Sequence, residues 1–154
     1  MRRRNQSGLT LVELIVAFTI MLILTTMAVP LARSKVRAER ERELIRDLRE
    51  MRAAIDRYKD YCDSGYLGPK EVDTDCYPKT LDVLVKGVKL SGPNDKKIPF
   101  LRRIPRDPFT GDTEWGMHST QDDPDSKSWG GQNVFDVYSK TDAKAPDGTP
   151  YSTW

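Results

Sequence analysis

The sequence predicts an α+β chain. One long N-terminal helix, its first half apolar enough to be embedded in a membrane, should pack through its second half on a small antiparallel sheet with a short second helix. Three observations carry this reading. An apolar run fills Leu9 to Val29, a charged segment with helical periodicity comes after it, and all but one of the ten Gly and all but one of the ten Pro lie after residue 61. The 154 residues give room for one modest domain plus one extra element. About 90 residues remain for a globular part, too few for a deep-cored enzyme.

The apolar run is preceded by Arg2, Arg3 and Arg4. Such a charge step keeps the leading end cytoplasmic and places the chain beyond the run outside the cytoplasm, in the periplasm of a two-membrane bacterium. As a helix, Leu9 to Val29 rises about 31 Å, close to the roughly 30 Å of a hydrocarbon core. A cleaved secretory signal fits poorly, because the run is long and Val29-Pro30-Leu31 is a poor small-residue site. A plain single-span anchor explains the hydrophobicity but not Glu13, the one ionisable group in the run. A carboxylate at the bilayer centre costs about 2.5–3.5 kcal/mol, less near the edge, and calls for a partner. A newly exposed amine at Leu9 of a neighbouring copy would serve.

The stretch Gln6-Ser7-Gly8-Leu9-Thr10-Leu11-Val12-Glu13-Leu14 resembles the processing motif of type IV pilins and type II secretion pseudopilins. The resemblance makes the expected fold pilin-like. It implies that a prepilin peptidase cuts between Gly8 and Leu9 and that the amine of Leu9 is then methylated. Glu13 and Pro30 stand at the offsets from the cut that the family shows, and both are expected to act in filament assembly. Leu9 departs from the family's usual Phe. The expected organisation is a leader over 1–8, a transmembrane and filament-core helix over 9–31, an amphipathic extension over 32–61 and a periplasmic globular domain over 62–154. Without the leader the charge falls from +2 to −1, since three of the 25 bases leave against 23 acids. The basic surplus belongs to the leader, and nucleic acid is not expected as a primary partner.

From Arg33 to Asp60 the chain carries ten Lys or Arg and seven Asp or Glu. Leu44, Leu48, Met51, Ile55 and Tyr58 recur at helical spacing and form one stripe facing something apolar. The stripe is too short for a coiled coil of three to four heptads. Arg46 with Glu50, and Arg52 with Asp56, are placed for i,i+4 ion pairs. Pro30 is expected to disturb the turn before it, with Thr25 and Thr26 able to bond freed carbonyls. The outcome is either a fixed kink or, as the resemblance implies, a segment that unwinds when subunits pack.

Cys62 and Cys76 lie in the polar part of the chain. In an oxidising compartment they are expected to form a disulfide, an inference from compartment alone. Free thiols are the alternative; a zinc site with His118 lacks a convincing ligand set. The segment Cys62 to Pro78 reads as a loop. Thr80 reads as an N-cap, with Leu81 to Val88 as a short helix or apolar turn. Ser91 to Asp95 ends it. Asp112–His118 and Val134–Ser139 read as strands, joined by a polar connection. Trp154 reads as a hydrophobic latch on the sheet.

Phe100-Leu-Arg-Arg-Ile-Pro-Arg-Asp-Pro-Phe-Thr-Gly111, with the tail from Val134 to Trp154, resembles the major, G-type pseudopilins of type II secretion. These usually bind calcium in their last loop through several Asp. Here only Asp142 and Asp147 lie between Ser139 and Pro150. Calcium prefers six to eight oxygens, so the ligand set is incomplete and no metal or other cofactor is expected. Asp122, Asp123 and Asp125 read as a solvated acidic loop.

No phosphate loop, dinucleotide fingerprint, nucleophile elbow or His-Glu-x-x-His motif is present, and His118 reads as a strand-edge residue. The expectation is a structural protein, not an enzyme. It would be a pseudopilin subunit held in the inner membrane, processed, and assembled into a helical homo-oligomeric filament that drives protein export. The implied partners are the prepilin peptidase, an inner-membrane assembly platform with its ATPase, minor pseudopilins, and membrane lipid before assembly. Two alternatives stay open: a type IV pilin for adhesion, motility or DNA uptake, and a monomeric membrane-anchored binding module.

Overall fold

The computed structural model describes residues 10–69, 73–92, 97–123, 126 and 128–154. The chain divides into two compact units, Met1–Glu39 and Arg40–Trp154. Helix α1, Leu11–Asp63, contributes to both. It continues through Pro30, which lies inside the helix. The Thr25 and Thr26 hydroxyls donate to the carbonyls of Met21 and Leu22. The carbonyl that Pro30 leaves without its N–H is that of Thr26, four residues back, so contrary to expectation neither hydroxyl bonds the freed carbonyl; both bond carbonyls one turn earlier.

In the second unit the sequence stripe is the core. Leu44, Leu48, Met51 and Ile55 are buried, together with Ala54 and Cys62. Tyr58 is half-buried and meets the Phe100 ring edge-on at 5.5 Å. Each buried aliphatic side chain contributes about 1.5–3 kcal/mol, so this stripe is the main hydrophobic attachment of α1 to the rest of the unit. The helix ion pairs differ from expectation. Arg46 turns to Asp47 at 3.2 Å and Glu43 at 3.3 Å rather than to Glu50. Arg52 reaches Asp136 at 2.7 Å rather than Asp56. Asp47 is only 4% exposed, and a buried carboxylate without a partner is costly. Asp136 offers Arg52 both carboxylate oxygens, the geometry a guanidinium prefers.

Helix α2, Leu81–Lys86, is shorter than the apolar run. Thr80 occupies its N-cap, but its side chain makes no capping hydrogen bond. Gly87 ends the helix, and Val88 leaves it for strand β1, Val88–Lys89, which pairs antiparallel with β2, Lys97–Ile98. A second antiparallel pair joins β3, Gly116–His118, to β4, Asp136–Tyr138. Among the described residues the small sheet is therefore two separate two-stranded pieces, and β3 and β4 are shorter than the segments Asp112–His118 and Val134–Ser139. Leu81 and Leu84 of α2, with Phe100, Leu101, Trp115, Val134 and Val137, complete the core over the stripe. The Leu84 carbonyl accepts the N–H of Phe100 and of Leu101 and so fastens the arginine-rich segment to α2. Trp154 is half-buried, stands edge-on to Tyr151 at 4.8 Å and packs against the core cluster that includes Val137 of β4.

Candidate functional site

The start of α1 is built for exposure to something apolar. Leu11, Phe18, Leu22 and Leu24 are each more than 60% exposed, and their apolar neighbours Leu14, Ile15, Val16, Ile20 and Ile23 are exposed as well. The helix is long and apolar enough to cross a membrane by length and composition. Thr10 precedes it as the cap: its hydroxyl accepts the Glu13 N–H at 3.3 Å, and its carbonyl accepts the Leu14 N–H at 3.2 Å. Thr10-Leu-Val-Glu13 is thus a capping-box pattern, with Glu13 at the third helical position. An acid there is also favoured by the helix dipole. The Thr-x-x-Glu spacing was legible in the sequence, and it places Glu13 in the first turn of the helix beside its cap. Gly8 and Leu9, the expected cleavage and methylation positions, lie outside the described residues. So do Pro124 and Asp125.

Beyond α1, a disulfide joins Cys62 at the helix end to Cys76, with the Cα atoms 5.5 Å apart. The loop it closes is tight. Asp73, Asp75 and Cys76 all have positive φ, a region costing about 1 kcal/mol or more for residues other than Gly. The crosslink is backed by Lys59, which donates to the Asp75 carbonyl at 3.0 Å and to Asp63 at 2.9 Å. The Asp75 carboxylate accepts from Thr120 and Gln121, which ties this loop to the one after β3.

A second anchor escaped sequence reading. Asp107 is 1% exposed and accepts the N–H of Phe109 at 2.7 Å and the Ser139 hydroxyl at 2.5 Å. It closes the turn of Asp107-Pro-Phe-Thr and fixes the chain just after β4. The Asp-Pro pair signalled the turn, but nothing local signalled Ser139.

A cleft of about 700 Å³ opens beside Arg52, His118 and Trp154. Its polar groups are largely committed internally: Ser119 to Gln132, Thr120 to Asp75, Asp136 to Arg52, and Asp122 to the N–H groups of Ser119 and Gly130. The His118 Nδ1 is buried without a hydrogen-bond partner among the described residues. This set offers no base oriented on a nucleophile.

Residues 3–29 match the family described as the prokaryotic N-terminal methylation motif. The type II secretion system core protein G of Klebsiella michiganensis is 33% identical over 119 residues, covering 73% of this chain and 74% of that relative. The chain belongs to the type II secretion system core protein G family. Core protein G of Pseudomonas aeruginosa is 32% identical across 90% of this chain and 85% of its own length. The Klebsiella pneumoniae member is 30% identical across 97% and 91%. No solved structure matches the chain. The chain is therefore a pseudopilin subunit, as its leader and its arginine-rich segment led us to expect.

Membership of the core protein G family raises calcium, and the residues of the last loop do not fit it. Asp147 already accepts the Thr149 N–H at 2.9 Å. Backbone and side-chain hydrogen bonds from Thr149 hold its carboxyl below the ordinary range. The carbonyls a metal would need are also engaged: Ala143 with Tyr151, Ala145 with Gly148, and Thr149 with Ala145. Lys144 brings a positive charge into the same turn, where it bridges to Pro150, and Ala145 is buried against the core. Among the described residues no group of three or more His, Cys, Asp or Glu side chains is gathered for a metal.

Proposed function

We propose that this pseudopilin is made as a precursor, cut between Gly8 and Leu9 by a prepilin peptidase and methylated on the new Leu9 amine. Residues 9–31 then hold it in the inner membrane with residues 62–154 in the periplasm. From there it assembles with copies of itself into the helical filament of a type II secretion pseudopilus. Its partners are an assembly platform with its ATPase and minor pseudopilins, and its work is structural, driving export across the outer membrane without catalysis of its own. The methylation-motif match over residues 3–29 carries this reading, because it couples the leader to an apolar helix whose side chains are left exposed. Such a surface is stable only in lipid or against other helices. Glu13 neutralises the Leu9 amine of an adjacent copy and sets axial register, and Pro30 marks where the helix unwinds on packing.

The test is intact-mass and N-terminal-peptide mass spectrometry of the protein from its native membrane, without reduction. The expected mature chain begins at N-methylated Leu9 and is lighter by two hydrogens at Cys62 and Cys76. A chain still beginning near Met1, in cells with an active prepilin peptidase, would sink the filament reading.

A further inference from the structure

Helix α1 carries Arg52 to the place where β4 and the end of the chain converge. Its Nε donates to Asp136 Oδ1 at 2.7 Å. Its Nη2 donates to Asp136 Oδ2 at 3.3 Å, to the Val137 carbonyl at 3.2 Å and to the main-chain oxygen of Trp154 at 2.7 Å. One positive centre thus gathers four oxygens from two separate segments. That is the work a bound divalent cation does in holding a loop. The difference is that a guanidinium anchored on a helix is always charged and always present, so closure has no dependence on free ion concentration.

The rest of the segment is tied down in the same metal-free way. Ser139 at its start is held by Asp107. Tyr151 near its end is fully buried, stacks on Phe109 at 4.2 Å, and donates its hydroxyl to Glu41 at 2.6 Å. Between them the turn bonds to itself through Ala143, Ala145, Gly148, Thr149 and Tyr151. Among the described residues no group of three or more His, Cys, Asp or Glu side chains is gathered there for calcium, and these contacts already hold the segment.

We propose that this chain closes its C-terminal segment without calcium, using the Arg52 guanidinium as a built-in cation between α1, β4 and residue 154. The proposal concerns residues 40–154 and stands or falls independently of processing and filament assembly.

The experiment uses the full chain in detergent micelles. Thermal unfolding followed by near-ultraviolet circular dichroism, and amide hydrogen exchange, are measured with millimolar calcium and with a chelator. The expected result is the same midpoint and the same exchange over 139–154 in both. Arg52→Met, which keeps bulk and removes charge, should lower the midpoint and speed exchange of the Ala145, Gly148 and Tyr151 amides about tenfold, as expected for one lost charge-assisted contact set. Arg52→Lys should recover only part of this, because an ammonium cannot present two parallel donors. Should the Met variant fail to fold, Asp136→Asn removes the charge from the other side, and the same local acceleration is expected. A midpoint raised by calcium in the unaltered chain would overturn the proposal. So would exchange over 139–154 that is unchanged in both the Met and the Asn variants.

Discussion

Asp122 uses one carboxylate oxygen, Oδ2, to accept the backbone N–H of Ser119 at 2.8 Å and of Gly130 at 3.0 Å. Those two backbone bonds, Ser119 first, hold its pKa below the ordinary 3.8. A depressed carboxylate contributes stability that is present above its unfolded pKa and lost as pH falls through its folded one. Asp147, lowered by Thr149, has the same sign. Asp47 has the opposite sign: burial raises its pKa more than Arg46 lowers it, so its contribution weakens as pH rises through the carboxylate range. Acid should therefore open the loop from Ser119 to Gly130 and the turn at Asp147 before it disturbs the Asp47 region of α1. Asp122→Asn keeps an acceptor oxygen and removes the charge. We expect its Ser119 and Gly130 amides to lose protection, relative to the intrinsic exchange rate, already at neutral pH, and those of the unaltered chain to lose it only in acid. Nuclear magnetic resonance exchange rates across a pH series would check this, and equal neutral-pH rates in the two proteins would refute it.

At the scale of elements, Gly87 decides where α2 stops and β1 begins. Its φ of 75° and ψ of 155° lie in a region open essentially to glycine alone. A Cβ there would stand 2.9 Å from the backbone of Ile98 on β2. Gly87→Ala should cost about 1–3 kcal/mol from the dihedral alone, and it should part β1 from β2, because the obstructing atoms are backbone and cannot swing away. A urea titration gives the first quantity, and loss of amide protection at Val88 and Ile98 gives the second. The same element shows where sequence reading reaches its end. Leu81, Val83, Leu84, Val85 and Val88 read as one apolar face, and periodicity cannot say that its last residue belongs to a strand when that strand is two residues long. The stripe Leu44, Leu48, Met51, Ile55 was legible because a long helix repeats its signal over several turns. The pairing of Arg52 with Asp136 was not, since the two are 84 positions apart and Arg52 had a plausible local partner, Asp56, on the helix. Asp107 was legible as a turn residue and illegible as the anchor of Ser139 for the same reason. The disulfide came from compartment, whereas the positive-φ loop it closes, which loop-closure entropy stabilises by about 3 kcal/mol, had no marker in Asp73, Asp75 or Cys76.

For the whole molecule, the question is what Glu13 does in the mature chain that the proposed processing would leave. Two physical roles coincide on it. As the third residue after Thr10 it donates its backbone N–H to the Thr10 hydroxyl, at the capping-box spacing, a property of one chain. As the lone carboxylate among exposed Leu11, Val12, Leu14 and Ile15 it is a charge that lipid tolerates poorly and that an amine on a second copy would neutralise, a property of the filament. Glu13→Gln separates the two, because glutamine serves equally well in a capping box but carries no charge. The Gln variant should therefore be cleaved and inserted as before, and should insert at least as readily, since the membrane no longer has to accommodate a carboxylate. It should nevertheless fail to assemble. Leaving one member of a desolvated ion pair unmatched costs about 3–5 kcal/mol, and even the lower figure weakens association by about a hundredfold. The measurement is the share of mature protein in sheared filaments against membranes, with intact mass confirming the cut at Gly8. Gln-variant filaments at the unaltered yield would reduce Glu13 to a helix cap and leave axial register to other contacts. Loss of filaments with normal processing would place the charge itself between neighbouring copies.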